Sequence, residues 1–147
     1  MNVFETIALA GLLCGTLDFL ATSTLFKLRG GTYEKLLQFI ASGALGPSAF
    51  TGGKKTAVAG VFFHFFIAFS AAAVYFAASW RLEFLLAHAF ISGILYGAAV
   101  HLVMSWVVVP LSAAPKREFS VSTFLTQLFV HMFFVGLPIA CVVRHLS

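Results

Sequence analysis

Four long apolar segments set the hydropathy pattern of this chain, over residues 3–26, 56–80, 84–109 and 119–143. The third contains no Asp, Glu, Lys or Arg. Each segment is longer than the about 20 residues that a helix needs to cross the hydrocarbon core of a bilayer. We therefore predict an all-α fold, an integral membrane four-helix bundle, with residues 1–147 as a single polytopic domain.

A shorter amphipathic segment lies between the first two apolar segments. Gly30 and Gly31 interrupt the first helix, Thr32 is suited to cap a new one, and Gly46 followed by Pro47 is suited to end it. Apolar side chains recur at helical spacing in between, at Tyr33, Leu36, Leu37, Ile40 and Ala44. This pattern predicts an interfacial amphipathic helix over residues 32–45, lying on the membrane surface.

Composition and charge agree with a membrane protein and add its orientation. Hydrophobic residues make up 61% of the 147 positions and charged residues 10%, against about 25% charged in soluble proteins. Of the nine Lys and Arg residues, all but Arg81 and Arg144 fall in the first and third connections. Short basic connections stay cytoplasmic, which predicts a multi-pass membrane protein with both termini on the outer side of the membrane. The net charge of +4 thus reflects topology, and no nucleic-acid partner is predicted.

The first segment is predicted to be a retained helix. No Lys or Arg precedes it, and Asp18 interrupts its apolar run. A cleaved signal peptide carries a basic start followed by an uninterrupted apolar stretch.

Small residues mark one face of each of the first three segments. Glycines four residues apart occur in the first and third segments, and a glycine stands four residues before His64 in the second. This spacing keeps them on one face, where another helix can approach closely. The predicted helix-packing positions are Gly11, Gly15, Gly60, Gly93 and Gly97. Four aromatic residues opposite His64 are predicted to face lipid, namely Phe62, Phe65, Phe66 and Phe69.

The inward faces also carry polar residues. Asp18, His64, His101 and Gln127 each lie eight residues from the predicted cytoplasmic end of their segment, a depth of ~12 Å. Ionisable residues inside a membrane indicate function by default, although they can also hydrogen-bond one another and set helix register. The predicted ligand or proton site comprises Asp18, His64, His101, Gln127, His131 and Met104. Within it, Asp18, His64 and His101 are predicted to be energetically coupled.

The histidines are also the metal candidates. His64 and His101, at equal depth on successive antiparallel helices, are suited to ligate haem iron or another metal, and His131 is a third candidate. Cys14 and Cys141 lie in different segments at different expected depths, so no disulfide is predicted. No Ser-His-Asp order or paired carboxylates indicate hydrolysis, and an enzyme is not the favoured interpretation.

The C-terminal part of the chain carries a set of short motifs. His101-x-x-Met104 leads to Pro110-Leu111 and Pro115, and the next helix contains His131. This arrangement resembles the C-terminal half of YagU-like bacterial inner-membrane proteins. The resemblance implies an inner-membrane location and a helical bundle, without an agreed activity or catalytic residues. The chain departs from that pattern in its basic amphipathic first connection and in having no sizeable outer loop.

Three classes of function remain open from the sequence. The favoured one is a non-catalytic membrane subunit or scaffold, forming a homo-oligomer or part of a larger membrane complex within the lipid bilayer. The second is proton, ion or small-solute handling through the His/Asp cluster. The third is a redox subunit with histidine-ligated haem or metal, so the cofactor stays undetermined.

Overall fold

Five helices account for most of the fold in the computed structural model, which describes residues 2–147. They are α1 (Val3–Leu28), α2 (Tyr33–Leu45), α3 (Gly53–Ser79), α4 (Ala89–Leu111) and α5 (Val121–Leu146). Of the described residues, 86% are helical and none is in a strand. α1, α3, α4 and α5 are long and apolar enough to cross a membrane, with mean hydropathies from 1.7 to 2.1. The predicted all-α four-helix membrane bundle is confirmed.

Local capping explains where α1 and α2 begin. The Asn2 side chain accepts from the Glu5 backbone N–H at 2.8 Å, and the Glu5 carboxylate accepts from the Asn2 N–H in return. Thr32 caps α2 as predicted, because its hydroxyl oxygen accepts from the Lys35 N–H at 3.2 Å. Gly46 then ends α2 at a φ of 70°, which a residue without a Cβ adopts without strain.

The third span starts later than the predicted residue 84. Phe84–Ala87 forms a separate helical turn, and the chain leaves helical geometry at His88 before α4 begins at Ala89. The Leu85 carbonyl oxygen is hydrogen-bonded by side chains at this break, with Tyr75 Oη at 3.1 Å and Ser92 Oγ at 2.9 Å. Side-chain partners therefore replace the backbone hydrogen bonds that a continuous helix would supply.

Two π-helical segments interrupt α4 and α5. The first is Met104–Val108, two residues before Pro110, and the second is His131–Gly136, two residues before Pro138. A proline inside a helix lacks an N–H and its ring clashes with the carbonyl four residues earlier. A locally wider turn just before the proline relieves both problems, and such turns are frequent at functional sites.

The apolar core lies at the end of the bundle that holds the N- and C-termini of the chain. Its largest fully buried members include Tyr75 of α3 together with Ile139 and Val143 of α5. The cluster also contains Phe76 of α3 and the small residues Ala10 and Cys14 of α1. The main apolar cluster is therefore at one end of the bundle, whereas Asp18, His64 and Gln127 lie nearer the other end of their helices.

Two of the four phenylalanines expected to face lipid do not do so. Phe62 and Phe66 are 66% and 61% exposed, as expected for a lipid-facing surface. Phe69 instead packs against Gly11 and Phe65 against Gly15, both on α1. The missing Cβ atoms of the glycine pair leave a groove, and aromatic rings from α3 fill it. The prediction for Phe65 and Phe69 was wrong because helical position alone does not specify which neighbour offers such a groove.

Candidate functional site

Asp18 and His64 form a polar pair where α1 crosses α3. His64 Nε2 lies 2.8 Å from the Gly15 carbonyl oxygen and 3.9 Å from Asp18 Oδ2. The two side chains are 13% and 16% exposed, respectively. With a proton on Nε2, the ring donates to Gly15 while the carboxylate stays beyond hydrogen-bond distance. The Phe19 and Phe65 rings meet the imidazole edge-on and limit its rotation.

Thr22 connects this pair to α5. Its Oγ1 lies 3.5 Å from Asp18 Oδ1 and 3.4 Å from Gln127 Oε1. A hydroxyl has one proton, so Thr22 donates to one of these oxygens at a time. The carboxylate of α1 and the amide of α5 therefore share a single donor.

His101 and His131 form a second pair between α4 and α5. Their ring centroids are 5.0 Å apart, and the Phe124 ring lies 4.7 Å from that of His101. His131 Nδ1 is 2.8 Å from the Gln127 carbonyl oxygen. His101 is 4% exposed, and its Nε2 is buried without a hydrogen-bond partner among the described residues.

Glycine contacts bring the second pair together. A Cβ on Gly97 would overlap the His131 carbonyl oxygen and lie 2.6 Å from Met132 Cα. A Cβ on Gly136 would overlap the backbone of Gly93 and Gly97 in return. The α4 and α5 backbones thus touch one turn before His101, which places its ring against that of His131.

The predicted site residues fall into two connected pairs. Asp18 contacts His64 as the common depth suggested, whereas His101 contacts His131. Gln127 joins them, since its side chain faces Thr22 and its carbonyl accepts from His131. The expected direct grouping of His101 with Asp18 and His64 is replaced by this chain of contacts. His101 pairs with His131 because α4 and α5 approach closely at Gly97 and Gly136. The depth counted along the sequence does not show which helices approach in this way.

The remaining predicted positions have different surroundings. Gly60 packs against the Leu37 backbone of α2, so its close contact is with the short helix and not with another spanning helix. Met104 is half-buried one turn after His101, at the start of the first π-helical segment. Gly93 packs against Ala140 and Leu137 of α5.

Gly136 is the contact residue that sequence reasoning missed. In a regular α-helix, positions five apart such as His131 and Gly136 point about 140° apart. The π-helical segment between them changes this relation and lets both face α4. The available signal was Pro138, which indicated a distortion of α5 without specifying its form.

The histidines do not form a conventional metal cluster. No group of three or more His, Cys, Asp or Glu side chains close enough to hold an ion exists within residues 2–147. His64 and His101, the proposed axial pair for haem, each contact a different partner. Cys14 is buried and Cys141 exposed, and both are free.

The fold and this polar interior define a multi-pass helical membrane protein. Comparison of the chain with protein-family models, with curated proteins and with solved structures gives no match.

Proposed function

We propose that this protein is a non-catalytic subunit or scaffold of the bacterial inner membrane, acting as a homo-oligomer or within a larger complex. The carrying observation is that three interior polar contacts each bond one spanning helix to another. His64 bonds α3 to the Gly15 carbonyl of α1, and Tyr96 Oη donates from α4 to the Ala71 carbonyl of α3 at 2.7 Å. Thr22 and Gln127 join α1 to α5.

Such bonds suit a structural role. Interhelical hydrogen bonds in membranes contribute ~0.6 kcal/mol on average, and each also specifies the register of two helices. Two open surface pockets lie near Cys141 and His145 at the end of α5. Neither is lined by Asp18, His64, His101 or His131, so neither offers these side chains to a solute.

The charge distribution supports periplasmic termini. The first and third connections lie side by side, because the Ala113 N–H donates to the Gly43 carbonyl at 3.0 Å and Arg117 stacks on Phe39. Arg29 Nη1 donates to Thr123 Oγ1 at 2.7 Å near the same end. Positive charge concentrated at one end favours the cytoplasmic side for that end. The resemblance to YagU-like proteins supports a location in the bacterial inner membrane.

Reconstituted protein tests the structural assignment against proton handling. Asp18→Asn and His64→Gln remove titration while keeping hydrogen-bonding groups. In liposomes with an internal pH-sensitive dye, wild-type protein should carry no more proton flux than protein-free vesicles. Both variants should keep the wild-type oligomeric state. A flux in the wild type that Asp18→Asn abolishes would overturn the scaffold assignment.

Assembly gives an independent test. Cross-linking in native membranes at native expression should yield one discrete species larger than the monomer. Recovery of monomer alone, under conditions that capture a known membrane complex, would contradict a subunit role.

Cation handling is the second candidate, because one interior histidine nitrogen makes no hydrogen bond to another described residue. His101 Nε2 is buried and unpaired among the described residues. Buried polar nitrogens are rarely left without a partner.

A further inference from the structure

The unpaired nitrogen of His101 belongs to a buried ring that lies beside a second imidazole. His101 is 96% buried, and the His131 ring lies 5.0 Å away between centroids. Leaving a buried polar atom without a partner costs about 1–3 kcal/mol, so a bound group that satisfies it would stabilise this crossing.

The hydrogen bond of His131 prepares that ring as a ligand. Its Nδ1 lies 2.8 Å from the Gln127 carbonyl oxygen, which only accepts, so Nδ1 carries the proton. In the neutral ring Nε2 then has a free lone pair. Metal-ligating histidines characteristically donate their other nitrogen in this way, which fixes tautomer and orientation.

The ring separation matches two ligands of one ion. For an ion that both Nε2 atoms approach along their lone pairs at about 2.0 Å, a centroid separation of 5.0 Å corresponds to an angle of about 100° at the ion. Such an angle leaves room for a third donor. Met104 is half-buried and lies three residues after His101, on the same helix face.

We propose that His101, His131 and Met104 form an intramembrane binding site for a soft monovalent cation, Cu(I). This activity goes beyond the proposed scaffold role. Thioether ligands select Cu(I) among the biological metals, and imidazole also suits copper. The three donors are neutral, and the intramembrane carboxylate Asp18 contacts His64 instead. A single positive charge costs less to bury than the double charge of Zn²⁺.

The test must exclude the two thiols, because cysteine also binds Cu(I) and Cys141 lies beside His145 in a surface pocket. We would use the full chain with Cys14→Ala and Cys141→Ala in lipid nanodiscs. Cu(I), kept reduced with ascorbate, would be competed against a colorimetric Cu(I) chelator. The matched control is His88→Gln, at an exposed histidine just before α4.

The cysteine-free protein should hold one Cu(I) per chain. His101→Gln and His131→Gln should each weaken binding by roughly tenfold or more, by comparison with the 10–100-fold effect of second-shell changes. His88→Gln should leave it unchanged. Equal Cu(I) retention by the cysteine-free parent and a His101→Gln/His131→Gln chain would overturn the proposal, as would tighter binding of Zn²⁺ than of Cu(I).

X-ray absorption at the copper edge decides the matter even where a histidine variant fails to fold. The parent should show two imidazole nitrogens and one sulfur around copper, and Met104→Leu should remove the sulfur. A copper shell without imidazole, or with sulfur that persists in Met104→Leu, would refute the assigned ligands.

Discussion

A methyl group added at Gly97 tests the contact that brings α5 against α4 beside His101. The new Cβ would overlap the His131 carbonyl oxygen and lie 2.6 Å from Met132 Cα. These are backbone atoms, which cannot rotate aside as a side chain can. Since ordinary contact begins at 3.4 Å, the two helices must separate locally by at least about 0.8 Å.

The expected cost follows from two opposing effects. Overpacking costs about 1–3 kcal/mol, and Gly→Ala in a helix returns up to about 1 kcal/mol through propensity. We expect Gly97→Ala to lower the free energy of unfolding by about 1–2 kcal/mol. Gly136→Ala strains the same crossing from α5, so the double variant should cost less than the sum of the two single effects.

The assay is unfolding by dodecyl sulfate in mixed micelles, followed by circular dichroism. Gly43→Ala is the matched control, because its Cβ would lie 3.8 Å from Ser112 Cβ in ordinary contact. We expect that control to gain up to about 1 kcal/mol. Gly97→Leu, with a larger side chain, should be more damaging than Gly97→Ala. A Gly97→Ala protein as stable as Gly43→Ala would show that the α4–α5 crossing is not held by backbone contact.

Two further predictions concern other side-chain contacts, and a third concerns the orientation in the membrane. Phe69→Ala should lower stability by more than Phe66→Ala, since only Phe69 fills the groove at Gly11; equal stability in detergent unfolding would contradict that packing. Asp18→Asn and His64→Gln should show an interaction of ~0.5 kcal/mol or more in a double-mutant cycle, whereas additive effects would mean that the 3.9 Å approach carries no coupling. A C-terminal alkaline phosphatase fusion should be active and a C-terminal GFP fusion dark, because the basic connections favour periplasmic termini; the opposite pair of results would reverse the orientation.

Local signals account for the part of the fold that was predictable. Crossing a bilayer requires a long apolar run whatever its neighbours are, so the four spans can be read from residue order. The Thr32 cap and the Gly46 end of α2 also depend on adjacent residues only. The break at His88 was not predictable in this way, because it relies on Tyr75 from another helix.

The sequence by itself determined four apolar helices and the helix faces that carry glycine. Only the tertiary structure decided that His101 lies against His131 and that aromatic rings fill the α1 groove. Hydropathy and helical period specify each helix separately, whereas partner choice depends on how closely two backbones approach. Here α4 and α5 approach closely because Gly97 faces Gly136. Gly136 faces α4 because it ends a π-helical segment, whose wider turn cannot be predicted from the α-helical period.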